Sequence, residues 1–352
     1  MNEKIVGRVF QDKVPQYVSP AWVNDVVANG FAGSVNLDGS EQRRQLESEL
    51  GELFAMPCRM VKSGTQALTL ALRAVGVRPG DKVATAAWTC PATCSAIIDA
   101  CAQPVFVDVD VDTWTMDVND LKSVIADVTA VVPVDLFGRP CDITGVRSVA
   151  CDKPIVRDAC QALGGAGIVS PDADVVCASL YPTKPFGGLT EGGVVFTVRD
   201  DVLETVHVLA EQGQYGERRC DGVNGRFGEL EAMIYRQCLP RIRRYAAKSF
   251  VKAETVMAAL PANWQTQALV DGQVVHMVRF IVPDDAQRTA LARLISQNET
   301  YQTAVSVMPV YAGRRCDTAE RLAAQSAGVI LYDALNVAKV VAALQFVHKS
   351  IK

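Results

Sequence analysis

The chain has 352 residues, 49% of them hydrophobic and 21% charged, the composition of an ordinary globular protein with room for roughly two domains. Lys and Arg number 35 against 39 Asp and Glu, a formal net charge of -4, and no basic run is visible, so neither nucleic acid nor an anionic membrane is an expected partner. No apolar stretch approaches the ~20 residues of a membrane helix, and "MNEKIVGRVFQDK" carries charges inside any would-be leader, which leads us to expect a cytoplasmic protein.

Eleven cysteines and three well-separated histidines (His207, His276 and His348) include no CxxC pair. They read as reduced thiols and isolated imidazoles rather than a disulfide framework or a metal site. Cys90, Cys94 and Cys101 recur at the spacing of one helix face and are expected as small buried hydrophobes.

In chain order, "SGTQALTLALRAVG" is a helix with Leu68, Leu72 and Val75 on one side, Ser63 as its N-cap and Gly76 as its stop. Then come strand "KVATAA", helix "PATCSAIIDAC", strand "PVFVDV", helix "VNDLKSVI" and strands "AVVPVDLFG", "PIVRDA", "VVCASLY" and "GGVVFTV". Short apolar runs with helices between them predict an α/β domain on a mainly parallel sheet. Residues 212–224, rich in Gly and Arg, predict a long loop, which in a compact protein is often functional. "GELEAMIYRQCLPRIRRYAAKSF" predicts a long helix kinked or interrupted at Pro240. A smaller α/β unit follows: strand "QVVHMVRFIV", helix "AQRTALARLISQ", strand "TAVSVMPVY" and helices near "TAERLAAQSA" and "NVAKVVAALQFVHK". The expected division is a large domain over 1–240 and a small one over 241–352.

Ligands of parallel α/β sheets bind beyond the carboxyl ends of the strands. There the sequence puts Asp158 (in "PIVRDACQ") and Ser179 followed by Lys184 (in "VVCASLYPTK"), while "VKSGTQAL" supplies a helix N-terminus. An amine, a carboxylate and helix-start amides are the groups that pyridoxal phosphate chemistry needs. The lysine forms a Schiff base with the aldehyde, the carboxylate keeps the pyridine nitrogen protonated, and N–H groups hold the phosphate. Each has a plainer alternative: a solvated lysine, an Asp that caps or turns, a Gly-Thr turn that only caps.

The segments "SGTQALTLALRAVGVRPGDKV", "VFVDVDVDTWTMD", "DACQALGG", "SLYPTK" followed by "EGG", and "GVNGRFGELEA" resemble, in order, the motifs of the DegT/StrS sugar aminotransferases. The resemblance runs from about residue 20 to 235, with a weaker echo in "AERLAAQSAGVILY". It implies a fold-type I pyridoxal 5'-phosphate enzyme with a large mainly parallel-sheet domain and a smaller C-terminal α/β domain. By the resemblance, the Schiff-base lysine falls on Lys184, the pyridinium carboxylate on Asp158, and the phosphate ligands on Gly64, Thr65 and Ser179. Gln161 would meet the cofactor's phenolic oxygen or ring face. Asn224 would reach the phosphate of the other subunit, which implies a homodimer with the site at its interface; Arg226 and Glu229 look structural.

Three positions depart from the family pattern. The aromatic residue that stacks on the cofactor ring aligns with Cys90, with Trp88 as its substitute if the loop takes another path. Pro185 follows the lysine where asparagine is common, and Asp135 takes a place more often held by His or Asn. The implied reaction moves an amino group, with L-glutamate as donor, to a keto group of a nucleotide-linked deoxysugar, giving an aminosugar for a surface polysaccharide or a natural product. The alternatives are a reaction of the same fold on a non-sugar ketone, and a non-catalytic binding or regulatory protein.

Overall fold

The computed structural model describes residues 41–188, 190–215, 217–294, 315–331 and 337–350. Helix α1 (Glu41–Phe54) leads into strand β1 (Cys58–Val61), helix α2 (Gly64–Ala74), β2 (Lys82–Ala86), α3 (Pro91–Asp99) and β3 (Gln103–Val107). A single turn α4 (Val118–Leu121), β4 (Ala130–Val132), α5 (Ile143–Ala150), β5 (Val156–Asp158), β6 (Val175–Ser179), β7 (Gly193–Phe196) and α6 (Asp200–Ala210) complete the larger unit.

Strands β3, β2 and β4 form one parallel sheet, and β1, β7, β6 and β5 a second. Parallel bridges from Val131 to Ile155 and from Val134 to Asp158 join them edge to edge. The strand order therefore runs β3-β2-β4-β5-β6-β7-β1. It is mixed rather than uniformly parallel, because β7 is antiparallel to both β6 and β1. The chain returns from β6 to β7 through residues 180–192, whose described residues form turns and no crossover helix, and a connection without a crossover reverses direction.

Both faces of the sheet are covered, which explains why the strands read as continuous apolar runs. Along β6, Val176 and Ala178 belong to one buried cluster, with Leu46, Trp88 and Phe196, while Val175 and Cys177 belong to another, with Leu68, Leu72 and Val206. Successive side chains point to opposite faces. Asp158 pairs in register with Cys177, and Arg157 with Val176. The two neighbours thus project to opposite faces, Asp158 toward α2 and α3.

Several elements are shorter than the periodicity suggests. Helix α3 stops at Asp99, and Cys101 takes a left-handed φ of 60° beyond it, so Cys101 is exposed and off the face that carries buried Cys94; Cys90, at the N-cap, is half-buried. The strand expected over 130–138 ends at Val132, since Pro133 cannot donate to a ladder and Leu136–Gly138 form a 3₁₀ turn with positive φ at Phe137 and Gly138. Helix α4 is one turn, and the rest of "VNDLKSVI" is a turn that leads into a 3₁₀ turn at Ile125–Asp127.

The loop expected over 212–224 contains a small antiparallel hairpin, β8 (Gln214–Tyr215) with β9 (Arg218–Arg219), closed by a bridge from Glu211 to Asn224. Helix α7 (Glu229–Met257) passes through Pro240 without interruption. Pro240 lies on the exposed side, and Leu239 and Ile242 beside it are buried, so burial outweighs one missing backbone bond.

The first half of α7 packs in the main core, and Ala253 and Val256 enter a third cluster with Phe280, Leu291, Val329 and Leu344. This cluster joins β10 (Met277–Ile281), α8 (Asp285–Leu294), β11 (Ser326–Ile330) and α10 (Val337–Ser350). Strands β10 and β11 are antiparallel. Helix α9 (Asp317–Gln325) ends where "SAGVI" turns into β11, so the helix expected over "TAERLAAQSA" is cut short. The strand expected in "TAVSVMPVY" lies outside the described residues. Among the described residues no helix is long and apolar enough to cross a membrane.

Candidate active site

Asp158 ends β5 and Ser179 ends the adjacent parallel strand β6, both facing α2. Ser63 caps α2, its Oγ accepting from Gln66 N at 3.2 Å while its carbonyl accepts from Ala67 N at 2.9 Å. The two preceding amides, of Gly64 and Thr65, are those a helix start leaves for a ligand. Glycine is required at 64: a Cβ there would meet Ser179 Cβ at 2.7 Å and Cys160 Sγ at 3.0 Å. Gly193 matters equally, since a Cβ on it would meet Ser63 O at 2.1 Å. Helix start and strand ends are in backbone contact, and the small residues make this close approach possible.

Lys184 sits in two consecutive turns: its N–H donates to Tyr181 O, and its carbonyl accepts from Gly187 N, each at 2.9 Å. The next residues return at once to the sheet, Gly188 N bonding to Leu180 O. Pro185 is buried at a turn position that uses no N–H, so its missing donor costs nothing here. The charge of Lys184 acts on both Asp158 and Cys160.

Asp158 is 4% exposed. Burial pushes its carboxyl above the ordinary carboxylate range, while the Cys160 thiol and amide, the Thr93 hydroxyl and the Lys184 charge pull it back. Thr93 Oγ1 donates to Asp158 Oδ2 at 2.8 Å and lies 2.8 Å from Thr89 Oγ1. Cys160 N donates to Asp158 Oδ1 at 3.1 Å. Thr89, Thr93 and Cys160 were not singled out in the sequence; the usable signal was the i, i+4 threonine pair spanning a helix start in "TCPAT".

The remaining expected residues divide. Gln161 is buried, and its Oε1 accepts from Phe137 N at 2.8 Å, so its carbonyl serves the protein. Ser179 Oγ accepts from Tyr181 N at 3.2 Å, leaving its hydroxyl proton directed elsewhere. Cys90 is the N-cap of α3 but makes no side-chain cap bond. Trp88 is fully buried against Trp114 and Phe137, with ring centroids 5.5 and 5.4 Å away, so it is a core residue and not the ring-stacking substitute.

Asn224 is exposed beside Gly225, whose carbonyl accepts from Lys62 N just before the α2 cap. Arg226 pairs with buried Glu211 at 2.9 Å, and Glu211 also holds Arg43 at 3.2 Å. Glu229 accepts from the Gln42 and Arg43 amides at the start of α1. Asp135 has its explanation in β5. It is fully buried and bidentate to Arg157, with Nε to Oδ2 at 2.8 Å and Nη2 to Oδ1 at 3.0 Å.

Taken together, the site holds a primary amine, a buried carboxylate with two further donors, and two helix-start amides beside a serine. This donor set fits pyridoxal 5'-phosphate: the carboxylate suits a ring N–H, the amides and Ser179 a phosphate, and the amine an aldehyde.

Residues 25–345 match the DegT/DnrJ/EryC1/StrS aminotransferase family. The UDP-N-acetyl-3-dehydro-alpha-D-glucosamine 3-aminotransferase of Acidithiobacillus ferrooxidans is 34% identical over 214 residues, 58% of this chain and 58% of that protein. The dTDP-3-amino-3,4,6-trideoxy-alpha-D-glucose transaminase of Micromonospora megalomicea is 31% identical over 340 residues, 88% of this chain and 90% of that one. The fold is shared with NtdA of Bacillus subtilis, whose crystal structure holds the cofactor PMP, at a TM-score of 0.85 and 21% identity, covering 99% of this chain and 86% of that one.

Proposed function

The chain belongs to the DegT/DnrJ/EryC1/StrS aminotransferase family, and from that premise we propose that it is a pyridoxal 5'-phosphate-dependent transaminase acting on a nucleotide-linked keto-deoxysugar, with L-glutamate as amino donor. The observation that carries this reading is that Asp158, Ser179 and the α2 N-terminus come together at the carboxyl ends of β5 and β6, with Lys184 in the turn that follows Ser179. Relatives named for UDP- and dTDP-linked sugars support the acceptor class.

Bound pyridoxal phosphate supplies an aldehyde that condenses with primary amines and a ring that accepts electrons. The chain's own residues do the rest. Lys184 Nζ would anchor the cofactor and, as a free amine, would be the base that carries a proton to and from the reacting carbon. Asp158, oriented by Thr93 and Cys160 N, keeps a proton on the ring nitrogen. Gly64 N, Thr65 N and Ser179 hold the phosphate, and the Gln161 amide nitrogen and Cys90 line the ring. The protein acts in the cytoplasm as a homodimer, with Asn224 completing the partner's phosphate site.

Purified protein supplied with pyridoxal phosphate is expected to absorb visible light, to lose that band on adding glutamate and to regain it with a suitable nucleotide keto-sugar. Lys184→Ala should abolish all three responses. A protein that stays colourless, or whose band glutamate leaves untouched, refutes the reading; a response to non-sugar ketones alone replaces the substrate class. Mixing Lys184→Ala with Asn224→Ala protomers should restore part of the activity, because one site of each mixed dimer is then intact.

A further inference from the structure

The link between β4 and β5 is the thinnest in the main sheet. It consists of bridges rather than a continuous ladder, since Pro133 has no N–H to give. Yet Asp158, on which the ring nitrogen would depend, is at the end of this seam. Its backbone is held only by Asp158 N to Pro133 O at 2.9 Å and Asp135 N to Asp158 O at 3.0 Å on the side of β4.

On the opposite face, Arg157 spans the seam. Its guanidinium grips Asp135 through two bonds, and its Nη1 donates to Ile168 O at 3.1 Å and to Gly167 O at 3.4 Å. Asp135 Oδ1 also accepts from Cys141 N at 2.8 Å. This fixes the far end of the turn in which Phe137 N meets Gln161 Oε1. One fully buried ion pair therefore ties the end of the β4 segment to β5, to the loop after Gln161 and to the Phe137 turn.

We propose that Asp135 and Arg157 are positioning residues that hold Asp158 in register with the ring nitrogen of the cofactor. The inference rests on the reading of the site as a pyridoxal phosphate site. It extends that reading to a pair of residues facing away from the cofactor, beyond contact with it. A planar fork is suited to the task because it resists both sliding and rotation, whereas a lysine would act as a point charge.

The test uses two probes, pyridoxal phosphate and its analogue with carbon in place of the pyridine nitrogen, and measures dissociation constants by absorbance or fluorescence. The wild-type protein should prefer the natural cofactor. In Asp135→Leu/Arg157→Met, which removes the pair without stranding a buried charge, this preference should fall by roughly tenfold, the scale of one charge-assisted hydrogen bond. Affinity for the analogue should change little. Where the double variant does not fold, Arg157→Lys, which keeps the charge and loses the fork, carries the same expectation.

A merely structural role would weaken both probes equally. An unchanged preference in a folded variant, or an equal loss for both probes, overturns the proposal. A wild-type protein that binds both probes equally well overturns the role of Asp158 itself, and one that binds neither overturns the cofactor reading; in both cases the positioning role falls as well.

Discussion

Asp158 has surrendered most of its water to the sheet, and its hydrogen bonds from Thr93 and Cys160 do not fully replace it, so burial leaves its carboxyl above the ordinary range. A native pKa above the unfolded one means that the folded chain holds this proton more tightly. The resulting stabilisation is complete below the ordinary carboxylate range and is lost as pH rises through the raised native value. In cofactor-free protein, Asp158→Asn should therefore raise the melting temperature near neutral pH and flatten its decline with rising pH, while weakening pyridoxal phosphate binding. Thermal melts across a pH series check this; a lower melting temperature for the variant at neutral pH would show that the carboxylate is net favourable without its cofactor. At this scale Lys184, Asp158, Ser179 and Gly64 were legible, because each stands where an apolar run gives way to turn or cap residues. Thr93 was not, since its partner is 65 residues away and the threonine pair in "TCPAT" does not say which carboxylate it meets.

Among the elements, α2 decides the most. Its cap, apolar face and stop are all local features, and the structure has them at Ser63, at Leu68 and Leu72, and at Gly76 with φ 100°. Its closeness to β6 is not local. Gly64→Ala should cost about 1–3 kcal/mol through overpacking against Ser179 and Cys160 and weaken pyridoxal phosphate binding by lifting the helix-start amides. Chemical denaturation and a cofactor titration measure the two effects separately, and an alanine variant of wild-type stability would mean that the gap closes without strain. The same division between local and distant causes explains the errors. Pro240 reads as a break because proline lacks a donor, but burial on either side carries α7 through it. Cys101 fits a helical spacing, but the helix ends before reaching it.

Across the whole molecule, helix α9 packs its Ala319 and Leu322 into the main core and takes its N-terminal cap from a distant segment. Helix α9 has no side-chain cap of its own at Cys316. Asp108, just past β3, supplies it, accepting from Thr318 N at 3.0 Å and Ala319 N at 2.8 Å. A carboxylate at a helix N-terminus satisfies orphan donors and opposes the positive end of the dipole. Asp108→Ala should lower stability by about 1–2 kcal/mol and speed hydrogen exchange over residues 317–330 more than in β5 or β6. Uniform acceleration throughout the chain would instead mean that the two units open together.

By itself the sequence determined the order of the candidate site's groups, one lysine, one strand-end aspartate and a capped helix start, and the alternation of apolar runs that makes an α/β fold. These depend on neighbours a few residues apart, where side-chain period, proline and glycine act directly on the backbone. Tertiary structure alone decided the reversal of β7, the burial of Trp88, the bond from Thr93 to Asp158, and the pairing of Asp135 with Arg157 across the proline-weakened seam. Each of these is a contact between distant segments, and its energy exists only once the sheet has brought the segments together and excluded water from between them.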